Sequence, residues 1–440
     1  MRSSILTAAI AVALITTSFG AVASAQDASA PAAVPHHSTH HKAHKRVVRH
    51  VVVRQVVAPD NNISAELAAR DHEIAELKSA MASLEVKVGE IEQRTDAQSD
   101  INVAQAKNVE TLQAEVPKVD KLAKLVNDTT VGGRAFVDIT DINQKKNGTK
   151  TGASGVGLDV KRFYLTVNHQ FDDIWSANLT TDFNFIAADN ETQLFVKYAY
   201  LQGKFSDMFV FRAGAAPMPW IPYTEGFMGM RYVDKTMVDR LGFGQTSDWG
   251  LNINGKFADN RVDYSASAVD GGGYKNPTRT KRMDFEGRVG FVPIQNTVIA
   301  IGGYSGDLGQ DVQGASALHT ATRADALIAY AKDNTRVGAE YFQSSNWKNV
   351  LTPMEDKADG YSLWGSWDFT DRFSVFGRYD HAKLSKNLDP TLTDKYFNLG
   401  LQWDVRKGLK VAAVYKNENL KDDKKETKTD EFGIFGDVSF

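Results

Sequence analysis

From about residue 132 to the C-terminus, apolar and polar side chains alternate with a period of two, and the connections between the alternating stretches are themselves alternately short and long. In 162–171, Phe163, Leu165, Val167 and Phe171 alternate with Arg162, Tyr164, Thr166, Asn168 and Gln170; around 283–291, Met283, Phe285, Val289 and Phe291 are set against Asp284, Glu286 and Arg288. A period of two sends one set to each face of a β-strand. That much also suits a soluble sandwich, so periodicity does not choose between the two. The connections do. The short ones are Asp172-Asp173, Ser206-Asp207, 258–260, 293–295, Asp333-Asn334, Thr370-Asp371 and 405–408; the long ones are 143–159, 216–247, 270–280, 306–318, 346–358, 383–393 and 421–429. Short turns on one rim and long loops on the other are the layout of a membrane-spanning barrel, and the strands number about sixteen, an even count as such barrels require. The fold class predicted for 132–440 is therefore an all-β transmembrane barrel of antiparallel strands with a polar lumen.

Aromatic residues agree with this reading. Tyr198, Tyr200, Tyr264, Tyr361, Trp367, Tyr379, Trp403 and Tyr415 recur near strand ends or on apolar faces, where the two membrane interfaces are expected. The final stretch, Phe432, Ile434, Gly436, Val438, Phe440, resembles the terminal signal by which outer-membrane barrels are recognised for assembly. The chain has no cysteine, so covalent staples contribute nothing. Closing the sheet satisfies every ladder hydrogen bond and leaves no free edge.

The preceding residues divide into four segments. Residues 1–25 read as a signal peptide, with Met1-Arg2, an apolar run from Ile5 to Ile15 and the small-residue site Ala23-Ser24-Ala25. Residues 26–60 are a basic, histidine-rich flexible segment. Its His36, His37, His40, His41 and His44 suggest a weak metal-binding possibility, with no carboxylate or cysteine to complete a ligand set. In 61–117 the residues Ile63, Leu67, Ile74, Leu77, Met81, Leu84, Val88, Ile91, Val109, Leu112 and Val116 fall on one seven-residue register, which predicts an α-helical coiled coil. Polar Thr95, Gln98, Asn102 and Gln105 occupy the middle of that seam, and such residues help to fix register and strand number. Pro117 is expected to end the helix, leaving 118–131 as a linker.

Composition removes other classes of function. With 51 basic against 54 acidic residues the chain offers no case for nucleic-acid binding. No phosphate-cradling glycine motif calls for a nucleotide or other cofactor. Outside the basic segment the histidines are His72, His169, His319 and His381, and no nucleophile elbow accompanies them, so the chain is not read as an enzyme.

What remains is passage through the lumen. The connection 216–247 is the longest and, counted from a periplasmic start, the third external loop. Its Pro217, Pro219, Pro222, Trp220, Ile221, Phe227, Met228 and Met230 are ill-suited to a solvent-exposed loop, and folding inward to narrow the pore accounts for them. The residues predicted to line the pore or its constriction are Arg162, Asp182, Arg212, Glu225, Arg231, Lys235, Arg240 and Arg288. If Arg162, Arg212 and Arg288 face the loop they form a local positive ring, although pairing with lumen acids explains the same residues equally well.

The coiled coil, the strand count, a Pro- and aromatic-rich third loop leading to Ser247-Asp248-Trp249-Gly250, and Phe285-Glu286-Gly287-Arg288-Val289 together resemble the phosphate-selective porin O and P family. The resemblance covers roughly residues 130–440. It implies a homotrimeric, passive, anion-preferring channel in the outer membrane of a Gram-negative bacterium, with the N-terminal region in the periplasm. Its partners would be outer-membrane lipids and small anionic or polar solutes such as phosphate. This chain departs from a strongly basic lumen, since acids accompany most of its lumen bases. Two alternatives stay open: a carbohydrate or general porin, and a protein that tethers the outer membrane to the cell wall through its N-terminal segment.

Overall fold

A computed structural model describes residues 61–186 and 191–440. Residues 1–60, which hold the expected signal peptide and the basic segment with its histidines, lie outside the described residues.

Helix α1 runs Asn61–Asp128. The stop expected at Pro117 does not occur, because Pro117 lies inside the helix. A proline removes one hydrogen bond of the ladder, and the turns on either side keep theirs. The heptad seam also continues past it, with Val119 and Val126 following Leu112 on the same seven-residue spacing. Most of the expected linker is thus helix. The apolar seam is solvent-exposed along the helix, Leu77 and Met81 both at 61%.

Sixteen long strands follow: Thr129–Lys146 (β1), Gly155–Gln170 (β2), Trp175–Ile186 (β3), Glu191–Ser206 (β4), Phe209–Pro217 (β5), Ser247–Phe257 (β6), Val262–Val269 (β7), Asp284–Phe291 (β8), Thr297–Gly306 (β9), Ala321–Lys332 (β10), Thr335–Ser345 (β11), Lys357–Asp368 (β12), Phe373–Lys383 (β13), Thr393–Arg406 (β14), Leu409–Lys421 (β15) and Glu426–Ser439 (β16). Each pairs antiparallel with the next, and β1 pairs with both β2 and β16, so the sheet closes on itself. The closing register sets Ile139 opposite Ile434 and Arg134 opposite Ser439.

Side chains are distributed inside out relative to a soluble protein. Along β14, Asp394, Tyr396, Asn398 and Gln402 are buried while Lys395, Phe397, Leu399, Leu401 and Trp403 are exposed. The apolar set faces outward, which is favourable only where hydrocarbon replaces water around the barrel. At the short-turn rim the rings of Trp367, Phe369, Phe373 and Trp403 form a chain, with successive centroids 6.1, 6.3 and 6.3 Å apart.

Three local features depart from expectation. The connection 143–159 is mostly strand. Asn147 and Gly148 take φ of 50° and 81°, the tight hairpin turn that this dipeptide favours, and Thr149–Lys150 pairs back on Lys145–Lys146. Likewise 421–429 contracts to the few residues between Lys421 and Glu426, so the β1–β16 seam stands tall. Finally, the β3–β4 register shifts between Thr180 and Thr181, leaving Lys197 as the extra residue of a bulge. The bulge turns Tyr198 and Tyr200 away from the expected aromatic girdle and toward lumen bases, with Lys197 5.5 Å over the first ring and Arg212 5.4 Å over the second.

Candidate constriction of the barrel lumen

The connection between β5 and β6 folds into the barrel. It carries two short helices, α2 (Ile221–Met228) and α3 (Met237–Arg240). Pro222 opens α2, where a missing N–H costs nothing, and Gly229 closes it at φ 78°. Thr236 caps α3 by accepting from the Asp239 N–H at 3.4 Å. Trp220, Ile221, Val233, Met237 and Val238 are fully buried.

Burial inside a polar lumen needs an apolar seat, and the wall provides one. Val269, Leu327, Phe342, Trp347 and Trp364 pack around Trp220, Ile221, Met237 and Phe243, while Phe136, Phe376, Val414 and Phe435 receive Tyr232 and Val233. Inward positions that break the polar rule of the lumen thus form the bed of the loop. Gly302 belongs to this fit, since a Cβ there would stand 2.5 Å from the Trp220 ring.

Polar groups complete the anchorage. The Trp220 backbone N–H donates to Glu286 at 2.8 Å and its indole N–H to Glu340 at 2.7 Å. Tyr232 donates to Gln402 at 2.7 Å, Tyr396 to Asp234 at 3.0 Å, and Lys161 to the Val233 carbonyl at 2.8 Å. Arg240 meets Asp394 at 2.5 Å, Asp380 at 3.2 Å and also Glu418. Burial opposes the Arg240 charge, but these three carboxylates outweigh it and raise its pKa above the ordinary arginine value.

These contacts leave a gap of about 260 Å³ between the loop and the wall formed by β2 and β4. Five bases line it: Arg162, Lys197, Arg231, Lys235 and Lys275. Asp239 is the acid among the lining residues, 3.6 Å from Lys235 and 3.8 Å from Arg231. Two more carboxylates stand behind the surface, Asp182 at 3.0 Å from Arg162 and Glu225 at 2.5 Å from Arg231. Five bases against three acids leave the gap positive by two. Among the described residues, neither Lys197 nor Lys275 has a carboxylate within ion-pair distance. Lys197 lies over the Tyr164 ring at 4.4 Å and Lys275 over Phe195 at 4.6 Å, so ring faces rather than anions support these charges. Burial, reinforced by the nearby Arg162 charge, pushes the Lys275 amine down to about 8.

Of the expected constriction residues, Arg162, Arg231 and Lys235 gather at the gap, with Asp182 and Glu225 as their ion-pair partners. Arg240 and Arg288 do not line it. Arg288 donates to the Pro219 carbonyl at 3.0 Å, meets Asp263 at 2.5 Å and lies 3.5 Å over the Tyr223 ring, so like Arg240 it fastens the loop to the wall. Arg212 faces the lumen elsewhere, donating to Gln202 at 2.8 Å. The constriction reading missed Lys197, Lys275, Tyr274 and Gln245. Lys197 already lay on the polar, lumen-facing parity of its strand without being placed at the constriction, and Lys275 needed the fold of 270–283, where a basic residue beside an aromatic was the one available signal.

No family model matches the chain, and no curated protein sequence does. Solved structures share its architecture. The outer membrane channel DcaP of Acinetobacter baumannii superposes with a TM-score of 0.52 at 12% identity, covering 71% of this chain and 97% of that one. An anion-selective porin from Comamonas acidovorans superposes with a TM-score of 0.50 at 13% identity, covering 71% and 99%. OmpF of Salmonella typhi, in complex with daunomycin, gives 0.50 at 12% identity, with the same two coverages. The chain shares the barrel fold of outer-membrane porins.

Proposed function

We propose that this protein is an outer-membrane porin of a Gram-negative bacterium through which small hydrophilic anions diffuse passively. The reading is carried by the gap: five bases surround the space left by the inward loop, two of them with no carboxylate partner among the described residues. In a narrow, partly desolvated passage a surplus of fixed positive charge raises the local concentration of anions and opposes cations. Arg162 and Arg231 present planar donor forks suited to the oxygens of phosphate. The inward loop narrows the passage, and because it is pinned to the opposite wall the charges are held in place rather than recruited on binding. No step consumes energy, so flux follows the gradient.

Three further elements belong to this reading. The outward apolar band and its aromatic rim suit insertion in the outer membrane. The exposed heptad seam of α1 suits a coiled coil of three copies on the periplasmic side, making the assembly a homotrimer. A contact of the same helices with the cell wall belongs to the same proposal. Single-channel recording in a planar bilayer under a potassium chloride gradient tests the central statement. The expected result is a reversal potential of anion-preferring sign and block by added phosphate; a cation-preferring sign overturns it.

A further inference from the structure

Beside the basic gap lies a second cavity of about 330 Å³, and the two share Gly242 and Gln245 in their walls. Its chemistry differs from that of the gap. It presents the amide side chains of Gln245 and Gln310, the carboxylate of Asp248, the amine of Lys348, the backbone of Gly271 and Gly272, and the edges of Tyr304 and Trp347. One acid and one base line it, against the five bases of the gap. Gln245 is exposed and Gln310 half-exposed, and neither amide has a hydrogen-bond partner among the described residues. Two free amides, each both donor and acceptor, flanked by backbone amides and aromatic edges, form a surface for a neutral hydroxylated body rather than for a second charge.

Resting on the anion-channel reading, we infer that the two cavities form one bipartite path whose preferred solute is a sugar-phosphate type of molecule: a phosphate group at Arg162, Arg231 and Lys275, and a polyhydroxyl body against Gln245 and Gln310. Inorganic phosphate uses the gap alone, and a neutral sugar uses the second cavity alone. Each cavity is near the lower end of the range for small-molecule sites, roughly 300–1,000 Å³, so neither has room to spare for a large ligand.

The test is block of the full-length channel in a planar bilayer by glucose 6-phosphate, inorganic phosphate, glucose and succinate at equal pH. Glucose 6-phosphate is expected to block at a concentration about tenfold lower than inorganic phosphate, the ratio that one or two added hydrogen bonds supply. Gln310→Ala narrows that ratio, and Lys275→Gln weakens block by both phosphates. Equal block by glucose 6-phosphate and phosphate in a channel that still prefers anions overturns this inference and leaves the anion channel standing. Tighter block by succinate than by glucose 6-phosphate does the same. A cation-preferring channel overturns the reading beneath it.

Discussion

The indole of Trp220 donates a 2.7 Å hydrogen bond to Glu340 across the barrel interior, joining the inward loop to strand β11 with both side chains fully buried. Such a bond satisfies a donor and an acceptor that have no access to water, and its loss leaves Glu340 buried without its partner. Trp220→Ala also empties the apolar seat and is expected to cost about 3–5 kcal/mol of loop docking. Single-channel conductance should rise as the loop leaves the lumen, and the heat-unfolding temperature in detergent should fall. Glu340→Gln keeps an acceptor and should stay near the parent conductance. Parent conductance in Trp220→Ala would remove the anchoring role.

Arg240 holds three carboxylates, and its substitution leaves Asp394 and Glu418 without a basic partner while Asp380 keeps Arg378. Breaking a buried ion pair by removing one partner costs on the order of 3–5 kcal/mol. Arg240→Ala therefore loosens α3 and adds uncompensated negative charge to the lumen. The reversal potential should move toward cation preference although Arg240 does not line the gap. An unchanged reversal potential would show that the freed acids are neutralised or lie off the ion path.

The barrel was legible because its signals are local. Period-two alternation and the contrast between Asp333-Asn334 and 306–318 are visible in a short window, and closure follows from their repetition. The inward loop was legible from Trp220 and Ile221, which no water-exposed loop explains. Which wall it leans on was not, because that depends on Phe342, Trp364 and Phe376, more than a hundred residues away. The roles of Arg240 and Arg288 turn on that choice: both read in the sequence as constriction residues, and both fasten the loop to the wall. Lys197 falls on the polar, inward parity of its strand and was legible as a lumen residue; what nothing in the composition of 191–206 marks is the extra residue in β4 that turns Tyr198 and Tyr200 inward beside it.

The charge of the gap depends on pH through Lys275. Burial and the positive charge of Arg162 push its amine down to about 8. A lowered lysine pKa means the charge is present below that value and lost above it. Raising the pH from about 7 to about 9 should therefore lower the anion-over-cation permeability ratio, while the arginines keep their charge. Lys275→Gln should show the lower ratio at both ends, with no step between. A step of the same size in the variant would assign the titration to another group.

Helix α1 presents Leu77 and Leu84 at successive positions of its heptad seam, 61% and 60% exposed in the single chain. Leaving such a seam in water is unfavourable, and burying each leucine against neighbouring copies contributes roughly 1.5–3 kcal/mol per side chain. The polar middle of the seam, Gln98, Asn102 and Gln105, contributes register rather than stability, so the load falls on the apolar heptads before and after it. Replacing Leu77 and Leu84 with Asp puts like charges together at the seam of every copy. Light scattering on detergent-solubilised protein should show the oligomer dissociating at a lower temperature or detergent concentration than the parent. An oligomer of equal stability would mean that contacts between barrels hold the copies together and that the helices serve another purpose.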